Sequence, residues 1–248
     1  MIRLLTHGRT KLFLLAATLL IGSLGFVGDA DAYFTYVKPN GPYALSGVMD
    51  QLYGVGNYER IDDGLDQVWY NQGDASTRAE ARFAAHLHTF GFFQDAAGVQ
   101  DATTFHSVFD VTGNGYFAGG QGSFSSNDSG SIFRFGLLDK VNTPNDPSDD
   151  HFWGSLEAEN DPGSLDHMVT FRILGGVGQD YQNGQWVDRQ NVAGNYVVAW
   201  EDLNPGDQDY NDLVVEVSGV RPVPEPATLT LFGLGLASVG LLRRRKRA

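Results

Sequence analysis

The chain has 248 residues, 17 Lys and Arg against 30 Asp and Glu, a formal charge of −13 and no cysteine. That balance excludes nucleic acid, whose phosphates demand clustered cations, and the lack of thiols excludes disulfides, thiolate metal sites and cysteine nucleophiles together. Aromatic residues at 12% supply material for a packed core and set the chain apart from disordered acidic segments.

The two ends read as targeting segments. Arg3, Arg9 and Lys11 precede an apolar run from Leu12 to Val27 and the small-x-small triplet Ala30-Asp31-Ala32, so residues 1–32 are expected to be a signal peptide cleaved after Ala32. At the other end Pro224-Glu225-Pro226 precedes an apolar stretch from Ala227 to Leu242 and five cations from Arg243 to Arg247. The stretch is somewhat shorter than the roughly 20 residues a bilayer wants, which implies a short transmembrane helix with its basic end in the cytoplasm. Residues 222–248 are thus a sorting tail and residues 33–221 one domain. Setting aside three cations before Tyr33, five after Leu242, and Asp29, Asp31 and Glu225 leaves 9 basic and 27 acidic residues, about −18.

Within the domain, Tyr33 to Gly56 is rich in Gly, Pro and Tyr, with a turn at PNGPY and a short helix or irregular wrap at SGVMDQLYG. Asp62, Asp63 and Asp66 then precede Val68 and Trp69. From Ala79 to Phe93 the chain alternates, Ala81, Phe83, Ala85 and Leu87 against Arg82, Ala84, His86 and His88, which predicts a strand. His86 and His88 share a side, as two ligands of a strand-borne transition-metal site would, with His106 as a third; the plainer reading is two solvent-facing polar residues. Thr103 to Val111 is a further strand. Thr112 to Gly130, rich in Gly and Ser, reads as a long loop or loose hairpin. It carries no phosphate-cradling glycine pattern and no elbow motif around Ser123.

Ser131 to Asp139 is a strand with Phe133, Phe135 and Leu137 on one side, and two acidic, proline-broken loops surround Phe152 and Trp153 before a strand from His167 to Leu174. Gly175 to Gly194 reads as a loop containing Trp186. Two apolar strands, Tyr196–Trp200 and Leu213–Val217, close the domain. About seven short strands, many Gly turns and no long helical period indicate an all-β fold, an antiparallel β-sandwich of jelly-roll-like kind.

The last two strands bracket the most distinctive stretch. Between them lie Glu201, Asp202, Asp207, Asp209 and Asp212, with the amide Asn211. Like charges about 4 Å apart repel by roughly 1 kcal/mol even in water, so a turn this anionic calls for a cation or for open solvent. Asp207, Asp209 and Asn211 at alternate positions echo the first ligands of a calcium loop, but Asp212 and Ser218 stand where an EF-hand has Gly and Glu. Two readings follow. Oxygen ligation of Ca²⁺ is one, completed by Glu201, Asp202 or backbone carbonyls; a solvated turn whose Asp side chains cap backbone N–H groups is the other.

The segment WEDLNPGDQDYNDLVVEV resembles the signature of domain of unknown function 4114, an extracellular bacterial module. NYERIDDGLDQVWYNQ and the DHMVT that begins at Asp166 also resemble that family, in which the equivalent strand leads towards the WED strand. The resemblance implies that Asp166 lies near the acidic loop as a further candidate ligand. The tail of Pro224-Glu225-Pro226, apolar stretch and basic end resembles the PEP-CTERM sorting signal. That implies recognition by an exosortase, transient anchoring in the inner membrane, and a final place at the cell surface or in the extracellular matrix of a Gram-negative bacterium. The expected role is a non-enzymatic, calcium-stabilised structural or adhesive domain, with exopolysaccharide as a further partner. A carbohydrate-binding module using Trp69, Trp153 or Trp186 is the alternative, and a glycan hydrolase a third reading.

Overall fold

The computed structural model describes residues 32–39, 41, 43–117, 120–140, 149–160, 166–203 and 206–223. Apart from Ala32, the expected signal peptide lies outside them, as do the expected transmembrane helix and Pro224, Glu225 and Pro226. Among the described residues no helix is long and apolar enough to cross a membrane.

In chain order the elements are helix α1 (Leu45–Tyr53), strands β1 (Tyr58–Arg60), β2 (Trp69–Arg82), β3 (Leu87–Gln94), β4 (Phe105–Val111), β5 (Gly115–Tyr116) and β6 (Gln121–Ser125), and the single helical turn α2 (Ser126–Ser129). Strands β7 (Ile132–Lys140), β8 (His151–Gly154), β9 (Met168–Ile173), β10 (Val177–Gln182), β11 (Gln185–Gln190), β12 (Tyr196–Trp200) and β13 (Leu213–Pro222) follow. Eleven strands form one antiparallel sheet with the path β1-β9-β12-β13-β2-β7-β3-β4, β5 and β6 joining on β2 and β8 on β7. Strand β2 is the seam. It pairs along its length with β13 and at Trp69 and Tyr70 also with β7, and bulges beside Val215 and Val220 bend the pair. Trp69, Phe90, Phe135, Val198, Trp200, Leu213 and Val215 fill the space between the two leaves, with the Trp69 and Phe135 rings edge-on at 5.0 Å. This is the antiparallel β-sandwich expected from the alternation.

Alternation alone implied strands half-open to solvent, but β9, β12 and β13 are covered on both faces. Leu45, Val48, Met49, Leu52 and Tyr53 recur at helical spacing, so SGVMDQLYG forms a true helix whose apolar stripe lies on Val169, Phe171, Val197, Ala199 and Val214. A second departure concerns the run from Ala79 to Phe93, which is two strands and not one. The chain leaves β2 after Arg82 and re-enters at Leu87, because Phe83 donates its N–H to the carbonyl of Asn211 and stacks on Tyr43 at 4.3 Å. Apolar residues on both sides of the turn kept the alternation intact through it.

Gly175 to Gly194 is likewise no loop. It holds the hairpin β10–β11, turning at Asn183 (φ 50°) and Gly184 (φ 81°), the pair of positive φ values that a two-residue hairpin turn requires. A buried ionic cluster fixes this hairpin to the sheet. Arg78 contacts Glu80 at 2.5 Å and Asp180 at 3.1 Å, while Arg189 contacts Glu216 at 2.7 Å and Glu80 at 3.3 Å. Burial raises the Glu80 carboxyl to about 8 in spite of both guanidiniums, whereas Glu216 is held below its ordinary value by Arg189 and Asn195 against the opposing effect of its own burial.

Candidate metal centre

Strands β12 and β13 pair from Tyr196–Val217 to Trp200–Leu213, so both ends of the connecting acidic loop are fixed at one end of the core. The loop backbone is tied in from three directions: Glu201 N–H donates to His167 O (3.0 Å), Phe83 N–H to Asn211 O (3.1 Å) and Lys38 N–H to Gln208 O (2.8 Å). Gln208 and Tyr210 take φ values of 61° and 52°, which curls the segment tightly between them. The buried Tyr210 donates its hydroxyl to the carbonyl of Asp166, and Trp153 Nε1 donates to the carbonyl of Asp202 at 2.9 Å. Tyr210 and Leu213 thus pack, and do not present themselves to a ligand.

This scaffold draws the carboxylates together. Glu201, Asp207 and Asp209 bring one oxygen each within 4.8 Å of one another; Glu201, Asp202 and Asp212 do the same; so do His86, Asp139 and Asp202 with their ligating atoms. Glu201 and Asp202 belong to two groups each, which makes a continuous chain of donors. The turn is solvated only in part: Glu201 is 3% exposed, Asp202 4%, Asn211 3% and Asp212 9%, whereas Asp209 is half-buried and Asp207 faces water, and the Asp212, Glu201 and Asp209 carboxylates accept the backbone N–H groups of Asp202, Leu203 and Asn211. Burial raises Asp212 to about 10, helped by the charges of Asp202 and Glu201. Burial likewise raises Glu201 and Asp139 to about 7. Counter-charge is sparse. Lys38 Nζ reaches Asp207 at 3.0 Å in an exposed pair, and Arg82, spending one N–H on Gly113 O at 2.8 Å, is the cation near Asp202, Asp212 and Asp139. Glu201 Oε2 is buried without a hydrogen-bond partner.

The other expected residues fall in different places. Asn211 spends its amide N–H on Tyr43 O (2.6 Å). Asp166 touches the loop through its carbonyl, but its carboxylate turns towards Thr35 (3.2 Å) and the Met168 N–H (3.1 Å), and burial with the Asp63 charge lifts it to about 7. His86 and His88 do share a side, facing Asp139 and Asp202; His106 lies apart, stacked on Phe92 at 5.0 Å. Trp69 and Trp153 are buried, leaving Trp186 as the tryptophan of the three that retains a partly open face. Sequence reasoning missed Asp139, Arg82 and Lys38, which reach the loop from three separate segments and carry no local signal.

Gly206 is needed where the loop passes the Glu201 side chain, since a Cβ there would meet Glu201 Cγ at 2.8 Å and press on its carboxylate. Gly206→Ala is therefore expected to cost about 1–3 kcal/mol and to be read as a lower midpoint in thermal unfolding.

Comparison with known families bears directly on this loop. Residues 130–220 match the family described as domain of unknown function DUF4114, and residues 222–246 match the PEP-CTERM protein-sorting motif. No curated protein and no solved structure matches the chain. The DUF4114 match runs from just before β7 to the end of β13 and contains the whole acidic loop. Strand β2, which sits between β13 and β7, lies outside the match, as do Lys38, Arg82, His86 and His88. The sorting motif marks an exosortase substrate, exported and held transiently at the membrane before processing.

Proposed function

We propose that the β12–β13 loop binds calcium and that the ion locks an exported β-sandwich whose work is structural or adhesive, at the cell surface or in an exopolysaccharide matrix. The observation that carries this reading is the buried group Glu201, Asp202 and Asp212, whose carboxyls sit at the core's edge with an orphaned Glu201 oxygen and too little positive charge to balance them. Hard cations gather six to eight oxygens, and Glu201, Asp202, Asp207, Asp209 and Asp212, with the Asn211 side-chain oxygen, offer that donor class in one place. The ion would tie the N-terminal strap at Lys38, the β2–β3 turn and the last two strands into one unit. No reaction is assigned to the site.

Calcium that binds with the roughly 10⁻⁴ M dissociation constant of extracellular modules stabilises by about 2.7 kcal/mol at a hundredfold excess, some 5–10 °C for a domain of this size. Calorimetry of the exported protein in 10 mM Ca²⁺ against EDTA measures this. An identical melting curve in both would sink the proposal.

One observation favours a second activity beside the first. Tyr116, Phe117 and Tyr181 line a hollow of about 390 Å³ at the tip of the β10–β11 hairpin with Gln182, Asn183 and Gly184, and Trp186 packs on Tyr116 and Tyr181. Half-open aromatic faces beside amide groups suit the apolar face and hydroxyls of a sugar ring. Glycan-array binding that disappears in Trp186→Ala supports this reading, and an array silent for the parent protein removes it.

A further inference from the structure

The histidines at the start of β3 face the acidic loop from the opposite leaf. His88 and Asp139 are directly paired residues of β3 and β7, and Asp202 follows the end of β12, so two leaves of the sandwich deliver these groups to one spot. His86 Nδ1 lies 3.0 Å from Asp139 Oδ1 and 3.9 Å from Asp202 Oδ2; His88 Nε2 lies 2.9 Å from Asp202 Oδ2 and 3.8 Å from Asp139 Oδ1. Each carboxylate is thus approached by both imidazoles, and neither histidine has a carboxylate to itself. The side chains of His88 and Asp139 are fully buried, that of Asp202 is 4% exposed and that of His86 12%.

We propose that His86, Asp139 and Asp202 form a binding site for a divalent transition-metal ion, zinc in the first instance, with His88 hydrogen-bonded to Asp202 beside them. Ligands about 2.0–2.1 Å from a tetrahedral ion stand about 3.3 Å from each other; His86 Nδ1 lies 3.0 Å from Asp139 Oδ1 and 3.9 Å from Asp202 Oδ2, on either side of that edge, and the three residues bring their donor atoms within 4.8 Å of one another. Mixed imidazole and carboxylate donors select zinc and its neighbours over calcium, whereas the oxygen-only groups around Glu201 select the reverse. The choice of ion is therefore written in the two halves of the donor chain. Asp202 belongs to both, so a metal on the histidine side holds one shared carboxylate in place for the calcium side.

A pair of ordinary His–Asp hydrogen bonds is the competing account of the same distances. It places two carboxylates in mutual repulsion within a buried pocket where Arg82 is the nearby permanent cation. An ion at the common centre of His86, Asp139 and Asp202 satisfies both carboxylates and the His86 nitrogen at once.

The inference is independent of the calcium proposal in two of its three residues, and the test keeps the two apart. EDTA-stripped full-length protein, exchanged into 10 mM Ca²⁺, is titrated with Zn²⁺ by calorimetry and with Co²⁺ by visible absorption. One equivalent of each is expected, the cobalt form showing the intense bands of four-coordination. His86→Ala and Asp139→Asn are each expected to weaken zinc by at least about tenfold while the calcium-induced rise in melting temperature persists. Zinc uptake that is absent, or that is unaltered in both variants, overturns the proposal whatever calcium does.

Discussion

Stripped of divalent cations, the protein is expected to lose stability as pH rises from about 4 to 7.5, the reverse of an ordinary acidic protein leaving its acid-unfolding range. Glu201 and Asp139 hold their protons to about 7 in the folded chain, and Asp212 to about 10. The unfolded chain releases the same protons near 4. Between these values the unfolded state binds fewer protons than the folded one, so stability falls with rising pH. The stabilisation is complete below the unfolded values and lost as pH climbs through the folded ones. Asp101, Asp110, Asp128 and Glu216 are held low and act in the opposite sense, chiefly below about pH 4.5, and His88, lowered by its burial, opposes the fall up to about pH 6.5, one group against the several raised carboxyls.

A tenfold difference in proton affinity between the folded and unfolded chain corresponds to about 1.4 kcal/mol, so the buried carboxyls together account for a loss of at least about 3 kcal/mol, near 10 °C. Calcium bound as proposed is expected to reverse the sign, because it would replace those protons and bind more tightly as they leave. Melting temperatures measured at half-unit steps from pH 4.5 to 8, with EDTA and with 10 mM Ca²⁺, should diverge as pH rises. Parallel curves would mean that the ion, if bound, sits elsewhere.

The second large effect lies on the other face of the sheet. Arg189→Met is expected to destabilise by about 3–5 kcal/mol, since it leaves Glu80, Asp180 and Glu216 facing Arg78 alone in a buried cluster. It also removes the guanidinium stacked 5.0 Å over Tyr53, through which the hairpin grips α1. Denaturant unfolding of the variant measures the loss. The calcium-induced increment should survive unchanged, because no residue is shared between this cluster and the acidic loop. A variant as stable as the parent would show that hydrophobic packing alone seats the hairpin.

How much of this is legible in the sequence differs by feature, and the reasons are physical. Period-two alternation locates β7, β9, β12 and β13, since their inward residues are large and apolar. It says nothing about the far face of β12, where Val197 and Ala199 look like spacers until α1 is seen lying on them. The β10–β11 hairpin carries its signal in Asn183-Gly184, but its strands alternate polar with polar, and the two-residue turn is the better guide. The acidic loop is readable as a cluster and not as a buried one, because burial depends on Trp153, Asp166 and the strap at Lys38 arriving from distant segments. Asp139 closes the histidine site from β7 and gives no sign in its own neighbourhood.

Calcium is expected to occupy the donor group of Glu201, Asp207 and Asp209 or its neighbour of Glu201, Asp202 and Asp212. A crystal grown in calcium, with anomalous differences collected at long wavelength, tests it most directly. The expected result is a strong peak about 2.3–2.6 Å from the Glu201 carboxylate and at least three further oxygens of this loop. A clean map in which those oxygens are bridged by protons and water, with no peak at the loop, would contradict it.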